Sequence, residues 1–313
     1  MRGAKIVAAV ATFRRSAELA RLLKSLHQCG SPPAVVAIAD HAPGGDVAAI
    51  AEKSGLSCIV LEDASNPGPG AGWSNAASAA LEAVPDANAI LFLDDDVVIP
   101  GEAPGVLVDL MAQSGSGCIA PLLEDRTGCL WAFPEPVEPR LRKLIRQAVT
   151  PADALRLLGE GPHAFRWCTG ACILVSRQAY ERTGPHRRDF YMLGEDLEFS
   201  MRAAATTGGV FTCSISVPHL PPEGTPDVSA AAVKFCALLQ NLSYLAFHSR
   251  HSAHMKHYLP GNFRRFFRTF GITGRSLSDA GRCFWAGAAC GEPAGKKQGT
   301  ALRTRIRNRM NSQ

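Results

Sequence analysis

Residues 90–100 read ILFLDDDVVIP, three consecutive aspartates between two apolar runs. Side chains alternate along an extended chain, so Asp94 and Asp96 point one way and Asp95 the other. Like charges this close repel each other unless a positive charge neutralises them. Two acids on one side of a strand end can bind a hard divalent cation that keeps positions open for phosphate. The triplet therefore predicts Mg²⁺ or Mn²⁺ carrying a nucleotide diphosphate, with a solvated acidic turn as the alternative.

Apolar runs and helix-like segments alternate through the first half of the chain. Strands are expected at residues 5–13, 34–40, 57–63 and 89–96, and each is followed by a helix-like segment. Strands of continuous apolar character that alternate with helices indicate a mostly parallel, Rossmann-like sheet with helices on both faces. Sites in such α/β folds lie at the carboxyl ends of the strands, where Asp40, Asn66 and Asp94–Asp96 fall.

The C-terminal part of the chain differs from the rest in charge. Beyond the linker-like PPEGTP, residues 227–250 read as a long helix. From Lys256 onward there are twelve Lys or Arg residues and two acids, a balance of +10 in a chain whose total is +5. We therefore predict a catalytic domain at residues 1–225 and a helical, basic extension with a polar tail at 226–313.

Composition excludes several classes of protein. The 313 residues are 46% hydrophobic, enough for a substantial core, and the ten cysteines include no paired CxxC motifs. The apolar run near the start spans only residues 6–11 before two arginines, which fits a buried first strand better than a signal peptide. No run approaches the ~20 apolar residues of a membrane span. These features predict a cytoplasmic protein with reduced thiols.

Three further motifs extend the candidate site. The loop NPGPGAG, with Asn66, Gly70 and Gly72, precedes a helix, and glycines at a helix start favour close approach of an anion. The segment GEDLEFSMR places Glu195 and Asp196 at a helix start, where a carboxylate could act as a general base. His219 ends the strand-like SVPHL. The alternatives are a simple turn, a dipole-stabilised helix acid and a structural histidine.

Taken together, these motifs resemble glycosyltransferase family 2, the inverting nucleotide-sugar transferases of GT-A fold. The resemblance runs in order over residues 5–220 through ATFRR, IADHAPGGD, NPGPGAG, LDDD, CTGACILVSRQAYERTG, FYMLGEDLEFSMRA and PHL. The nearest subgroup is the galactofuranosyl- and rhamnosyltransferase-like enzymes. His41 replaces a usual Asn, and Pro67 and Pro69 stiffen the glycine loop, which leaves the preference for sugar and base open.

The resemblance implies a role for each matching residue. The residues implied in donor binding are Thr12, Phe13, Arg14, Asp40, Asn66, Gly70, Gly72, Trp73, Asp94 and Asp95. The implied metal ligands are Asp94, Asp96 and His219, and the implied catalytic base is Asp196. Trp167, Tyr191 and Glu195 are expected on the acceptor side, although the two aromatic residues could equally be core residues. The expected acceptor is a saccharide, a lipid-linked molecule or a natural product.

Other functions stay open at this point. A nucleotidyltransferase is also α/β and metal-dependent, but ATFRRSAEL lacks the glycine-rich loop usual there. Another alternative is a non-catalytic relative that binds a nucleotide sugar or a membrane surface. It is disfavoured because the sequence retains candidate metal ligands and a candidate catalytic base. The basic tail is not accompanied by a recognised nucleic-acid-binding module, so no nucleic-acid partner is expected.

The segment NFRRFFRTFGI suggests a peripheral membrane contact. Its phenylalanines, 263, 266, 267 and 270, follow helical spacing, and arginines 264, 265 and 268 occupy the remainder. An aromatic face with a cationic rim suits an anionic bilayer, such as the inner face of the membrane. The alternative is that this face packs on the catalytic domain. A homo-oligomer is also compatible with the sequence.

Overall fold

The computed structural model describes residues 4–223, 228–250, 255–270, 274–291 and 293–294. These residues form two compact units. The first unit contains the described residues up to Asn66, together with Ala71–His186 and Phe199–Pro222. The second contains Pro67–Gly70, Arg187–Glu198 and the described residues from Glu223 onward. The C-terminal helices thus group with two segments from the body of the chain, and the predicted boundary at residue 225 stays a prediction.

A ten-stranded mixed sheet forms the centre of the first unit. The strands are β1 (Ile6–Thr12), β2 (Val35–Asp40), β3 (Cys58–Glu62), β4 (Ala89–Asp94), β5 (Cys118–Glu124), β6 (Leu130–Ala132), β7 (Glu135–Pro136), β8 (His163–Trp167), β9 (Cys172–Ser176) and β10 (Gly209–Pro218). Their order is β3-β2-β1-β4-β9-β5-β10-β8-β7, with β6 paired to β5. Strands β1 to β4 are parallel to one another, and β10 is parallel to β5. Strand β9 runs antiparallel between β4 and β5.

Helices cover both faces of this sheet, as the sequence predicts. They are α1 (Ser16–His27), α2 (Val47–Lys53), α3 (Pro69–Ala83), α4 (Ala103–Ser114), α5 (Pro139–Ile145), α6 (Pro151–Leu158), α7 (Arg177–Thr183) and α8 (Glu195–Thr207). Strand β4 shows why two layers form: Leu91 and Leu93 belong to one apolar cluster, and Ile90 and Phe92 belong to the other. This alternation is the two-residue period of a strand that is buried on both sides.

The middle of the chain differs from the sequence prediction. The prolines within residues 131–165 predict long loops with one basic helix near residues 140–149, but the structure has two helices here, α5 and, after it, α6. Helix α6 begins separately because Thr150 caps it: the Thr150 hydroxyl accepts from the Asp153 amide, and the Asp153 carboxylate accepts from the Thr150 amide. The pattern of residues 165–184 predicts one strand and one helix, but two strands, β8 and β9, precede α7.

The second unit contains the three C-terminal helices, α9 (Val228–His248), α10 (Leu259–Phe270) and α11 (Gly274–Ala288). The aromatic face of α10 is not free to meet a bilayer. Phe266 is buried beside Cys236 and Leu239 of α9 and Ala280 and Cys283 of α11, and Phe263 and Phe267 pack against the same cluster. The prediction of a lipid-facing α10 is therefore wrong for Phe266, which packing between the helices buries, while Phe263 and Phe267 are half-buried.

Some predicted features lie outside the described residues. They are residues 224–226 of the linker, the Phe270 side chain and the polar tail from residue 295. Within the described part of the chain, no helix has both the length and the apolar character that crossing a bilayer requires.

Candidate active site

Three parallel strands bring predicted site residues to one edge of the sheet. Thr12 at the end of β1 pairs in register with Asp40 at the end of β2, and the neighbouring Ala11 pairs with Asp94 at the end of β4. The His41 amide donates to the Thr12 carbonyl at 3.0 Å. Because these strands are adjacent and parallel, their carboxyl ends converge, as the sequence predicts.

Asp95 is neutralised from within the chain. The Thr12 hydroxyl donates to Asp95 Oδ2 at 2.7 Å, and Arg15 Nη1 donates to Asp95 Oδ1 at 2.9 Å. The same Nη1 atom donates to Asp96 Oδ2 at 2.7 Å. Burial raises the pKa of Asp95 above its usual value, and the Arg15 charge and the Thr12 hydrogen bond only partly offset that effect. The cation next to this carboxylate is thus a guanidinium, not the metal ion predicted from the triplet.

Sequence reasoning selected Arg14 and missed Arg15. Arg14 is exposed, has a φ of 56°, and places its guanidinium carbon 5.2 Å from the centroid of the exposed Phe13 ring. Arg14, with its left-handed backbone, lies between strand β1 and Arg15, whose guanidinium contacts Asp95 and Asp96. Two adjacent arginines look alike in a sequence, so only this local turn reveals which one points inward.

Replacement of Arg15 by methionine should lower the free energy of unfolding by about 2–3 kcal/mol. Removing one partner of a fully buried ion pair costs about 3–5 kcal/mol, and the Arg15 side chain is 33% exposed. Urea unfolding in the absence of metal measures the change. The matched control is Arg14→Met, which we expect to stay near the wild-type value. Equal losses for the two variants would contradict the assignment of Arg15 as the counter-charge.

Asp94, Asp96 and His219 form the candidate metal site. One ligand atom from each residue lies within 4.8 Å of the others. His219 Nε2 is 3.1 Å from Asp96 Oδ1. Burial alone would raise the pKa of Asp96, but the hydrogen bond and charge of His219, together with Arg15, hold it below its usual value. Asp96 is therefore ionised, as a metal ligand must be.

Backbone hydrogen bonds place His219 beside the acids. The His219 amide donates to the Glu124 carbonyl at 2.8 Å, and the Leu220 amide donates to the Asp96 carbonyl at 2.7 Å. The guanidinium of Arg21 on α1 donates to the Leu220 carbonyl at 2.7 Å. The residue after β10 is thus held against both β5 and the turn that follows β4. This arrangement explains how two segments more than a hundred residues apart meet.

Trp131 is a site residue that sequence reasoning missed. Its ring stacks on His219, with ring centroids 3.8 Å apart and planes 20° apart, and Trp131 remains 45% exposed. The stack restrains the plane of the imidazole ring, and the remaining tryptophan surface faces solvent beside the acids. No local signal marks Trp131, which lies in a short strand within an irregular segment.

The residues in this cluster fit a divalent cation. Two carboxylates and one imidazole are a donor set that Mn²⁺ accepts, and an acid pair is typical of Mg²⁺ sites that bind phosphate. The structural alternative, a solvated acidic turn, does not describe Asp95 and Asp96, which are both buried.

The predicted residues of the glycine loop and its helix are half-buried or buried. Trp73 is buried, and its indole nitrogen donates to the Leu93 carbonyl at 2.9 Å. Its ring packs near the buried His186, with centroids 5.4 Å apart. Gly72 lies so close to His41 that an added Cβ would be 2.6 Å from its ring. Trp73 therefore supports this segment from the core, while Asn66, half-buried with a φ of 44°, lies in the loop itself.

The other predicted residues of the first unit include Trp167, the last residue of β8. It is half-buried and lies opposite Glu135 of β7. Gly70, Tyr191, Glu195 and Asp196 belong to the second unit. Among them, Glu195 is buried and Asp196 is half-buried, with Asp196 Oδ1 accepting from the Leu197 amide at 2.7 Å.

A sharp turn precedes Glu195 and Asp196 and is held by Asn241, another residue that sequence reasoning missed. Leu193 and Gly194 have φ values of 59° and 112°. The fully buried Asn241 of α9 donates its amide to the Met192 carbonyl at 3.0 Å and to the Leu193 carbonyl at 2.7 Å. Its Oδ1 accepts from the Ala294 amide at 2.7 Å. The predicted C-terminal extension thus supplies the support for this turn.

The family model described as "Glycosyl transferase family 2" matches residues 8–183, more than half of the chain. The chain belongs to this family. This family 2 protein is a glycosyltransferase, and the nucleotidyltransferase alternative is set aside. No curated protein matches the sequence.

Solved structures share the fold of this family 2 glycosyltransferase. S. aureus TarS 1-349 in complex with UDP-GlcNAc is 15% identical, with a TM-score of 0.60 over 99% of this chain and 92% of that one. Mannosyltransferase PcManGT from Pyrobaculum calidifontis, in complex with GDP-Man and Mn²⁺, is 14% identical. Its TM-score is 0.54 over 97% of this chain and 79% of that one. At these identities the likeness shows the fold alone.

Proposed function

We propose that this family 2 glycosyltransferase moves a sugar, with inversion, from a UDP- or dTDP-linked donor to an acceptor hydroxyl, and that it depends on a divalent metal. The observation that carries this proposal is the cluster of Asp94, Asp96 and His219 ligand atoms within 4.8 Å of one another at the carboxyl edge of the sheet. Carboxyl edges are where α/β folds bind ligands. The nucleotides in the solved structures of the same fold, which are UDP, UDP-GlcNAc and GDP-Man, support a nucleotide-sugar donor.

Donor binding is assigned to the residues around the ends of β1, β2 and β4. Phe13, which is 43% exposed, offers a ring face to the base, and Asp40 and Arg14 offer polar groups to the nucleoside. Thr12 and Asp95 contact each other and form one wall of the site. Asn66 and Gly70 are assigned to the donor, while Gly72, which packs against the His41 ring, and the buried Trp73 support this segment from the interior.

Asp94, Asp96 and His219 would hold Mg²⁺ or Mn²⁺. When bound, the cation supplies Lewis-acid stabilisation of the leaving diphosphate. The chain's own contribution is to bring the three ligands together and to keep Asp96 ionised. Arg15 balances the neighbouring negative charge, and Trp131 fixes the His219 ring.

Asp196 is assigned as the general base. It removes the proton from the acceptor hydroxyl as the oxygen attacks the anomeric carbon from the face opposite the diphosphate, so that one displacement inverts that carbon. Trp167, Tyr191 and Glu195 are assigned to the acceptor. The acceptor class is a saccharide, a lipid-linked molecule or a natural product.

A donor panel tests the proposal. Thermal unfolding is followed with UDP, dTDP and GDP, each with and without Mn²⁺, and hydrolysis of the matching nucleotide sugars is then measured. A ligand at 100 times its Kd adds about 2.7 kcal/mol of stability. We expect Mn²⁺-dependent stabilisation by one nucleotide and slow hydrolysis of its sugar. Stabilisation without any turnover would favour a non-catalytic relative, and no stabilisation by any nucleotide would contradict the proposal.

Asn241→Ala should lower the transfer rate through the position of Asp196. The turn before Asp196 would lose two hydrogen bonds from a buried donor, and misplacement of a catalytic group by about 1 Å can cost on the order of 10²-fold. We expect a fall of that order with the Kd of the nucleotide unchanged. The matched control is Asn262→Ala, which removes a single bond from α10 to the carbonyl of Tyr258, just before that helix. An unchanged rate for Asn241→Ala would contradict the positioning role.

The proposal extends to location and partners. We assign residues 1–225 to catalysis and residues 226–313 to an extension that contacts an anionic membrane from the cytoplasmic side. A lipid-linked acceptor would suit such a contact. Self-association into a homo-oligomer is part of the same prediction and is checked by light scattering, whereas no nucleic-acid partner is proposed.

A further inference from the structure

The outer side of α11 presents an exposed tryptophan. Trp285 is 65% exposed, and Leu277 on the same helix is 51% exposed. Ala280 and Cys283 are buried on the opposite side. Gly287 lies so close to α9 that an added Cβ would be 2.1 Å from the Gln240 carbonyl oxygen. The inner side of α11 is therefore closely packed on α9, and Trp285 points away from that contact.

Two further rings lie on α9 and α11. Phe247 on α9 is 45% exposed and meets the half-buried Phe284 of α11 edge to face, with centroids 5.8 Å apart. We call Phe247, Leu277, Phe284 and Trp285 the outer aromatic surface. Single exposed apolar residues are ordinary, but several on two packed helices, with a mostly exposed tryptophan among them, are typical of an interaction site.

Basic groups border the outer aromatic surface. Lys256 Nζ lies 5.1 Å from the centroid of the Phe247 ring. Arg264, which is exposed, follows Phe263, whose ring is 5.8 Å from that of Phe284. From Lys234 to Gly291 the sequence contains eight Lys or Arg residues and a single acid. This region is strongly cationic beside exposed rings.

We propose that the outer aromatic surface docks on an anionic lipid bilayer. Tryptophan has an apolar body and a polar N–H, which suits the boundary between acyl chains and headgroups. Basic residues around an apolar face add attraction to anionic headgroups. A second copy of this chain, docked through the same surface, would bring two cationic borders together, which disfavours the outer aromatic surface as the interface of a homo-oligomer. The docking does not depend on glycosyl transfer, so it is tested without substrate.

Sedimentation of the full-length protein with vesicles tests the proposal. Vesicles of phosphatidylcholine alone are compared with vesicles that also contain phosphatidylglycerol. We expect binding to the anionic vesicles at low salt and release at high salt, because salt screens the attraction. Lys256→Gln should weaken binding about fivefold, since each basic residue near the surface contributes about 1 kcal/mol.

Trp285→Ser tests the apolar part of the surface. We expect the partition coefficient to fall about tenfold or more, because a tryptophan loses a large apolar area on truncation. The matched control is Val149→Ser, which changes a 61% exposed apolar residue of the first unit and should bind as wild type does. Quenching of tryptophan fluorescence by brominated lipid should decrease in Trp285→Ser. If that variant unfolds at a lower temperature, Leu277→Ser replaces it.

Three results would overturn the proposal. The first is no sedimentation with anionic vesicles at low salt. The second is unchanged binding by both Trp285→Ser and Leu277→Ser. The third is concentration-dependent self-association that Trp285→Ser abolishes, which would assign the surface to a second copy. A donor panel without turnover, by contrast, would count against the proposed reaction and leave the docking intact.

Discussion

Asp196→Asn is expected to lower the rate of glycosyl transfer by about 10²–10⁴-fold, the usual cost of removing a general base. The amide cannot accept the proton of the acceptor hydroxyl. It keeps an oxygen that can accept from the Leu197 amide, as Asp196 Oδ1 does in the structure. The local fold should therefore survive, and the nucleotide should bind with an unchanged Kd. Single-turnover transfer and a nucleotide titration together measure both quantities.

The control for this prediction lies on the same helix. Glu198→Gln also removes one negative charge from the first turn of α8 and should retain most of the activity. If Asp196→Asn keeps more than half of the wild-type rate, Asp196 is not the base. A large loss in both variants would mean that the charge of the helix start matters more than proton transfer.

Asp96→Asn is expected to weaken the Mn²⁺-dependent binding of a nucleotide diphosphate and to lower transfer by about 10²–10³-fold. A metal ion contributes several kcal/mol of charge stabilisation to such a reaction, and every 1.4 kcal/mol is a factor of ten. The substitution removes the charge of the Asp96–Arg15 pair but keeps an oxygen that can accept from Arg15, and the Arg15–Asp95 pair stays in place. Titration of Mn²⁺ followed by electron paramagnetic resonance measures binding without turnover.

An exposed acid elsewhere in the first unit provides the comparison. Asp109→Asn on α4 makes the same chemical change on the surface and should bind Mn²⁺ as wild type does. Mn²⁺ binding by Asp96→Asn at wild-type affinity would remove Asp96 from the ligand set. If His219→Ala behaved as wild type, the histidine would be structural, and the site would consist of the carboxylates alone.

The sequence was sufficient for the fold class and for the convergence of the polar residues at the strand ends. Continuous apolar runs such as residues 89–93 are local patterns, and they predict buried parallel strands wherever they alternate with helices. The aspartates at the end of β4 and Asp40 at the end of β2 follow from the same pattern, since carboxyl ends of parallel strands converge. The grouping of Asp94 with Asp96 agrees with the two-residue period of an extended chain. The opposite direction predicted for Asp95 is wrong, because β4 ends at Asp94 and one Arg15 nitrogen donates to both Asp95 and Asp96.

Only the tertiary structure decided which side chains complete the site and which are buried. Arg15, not Arg14, faces the acids because a left-handed residue turns the chain after β1. Trp131 reaches His219, and Asn241 reaches Leu193, across separations of 88 and 48 residues, respectively. Phe266 of α10 is buried between helices, while Trp285 of α11 is exposed. The periodicity of apolar residues in the sequence indicates which face of a helix is apolar. Contacts between residues far apart in sequence determine whether that face is buried.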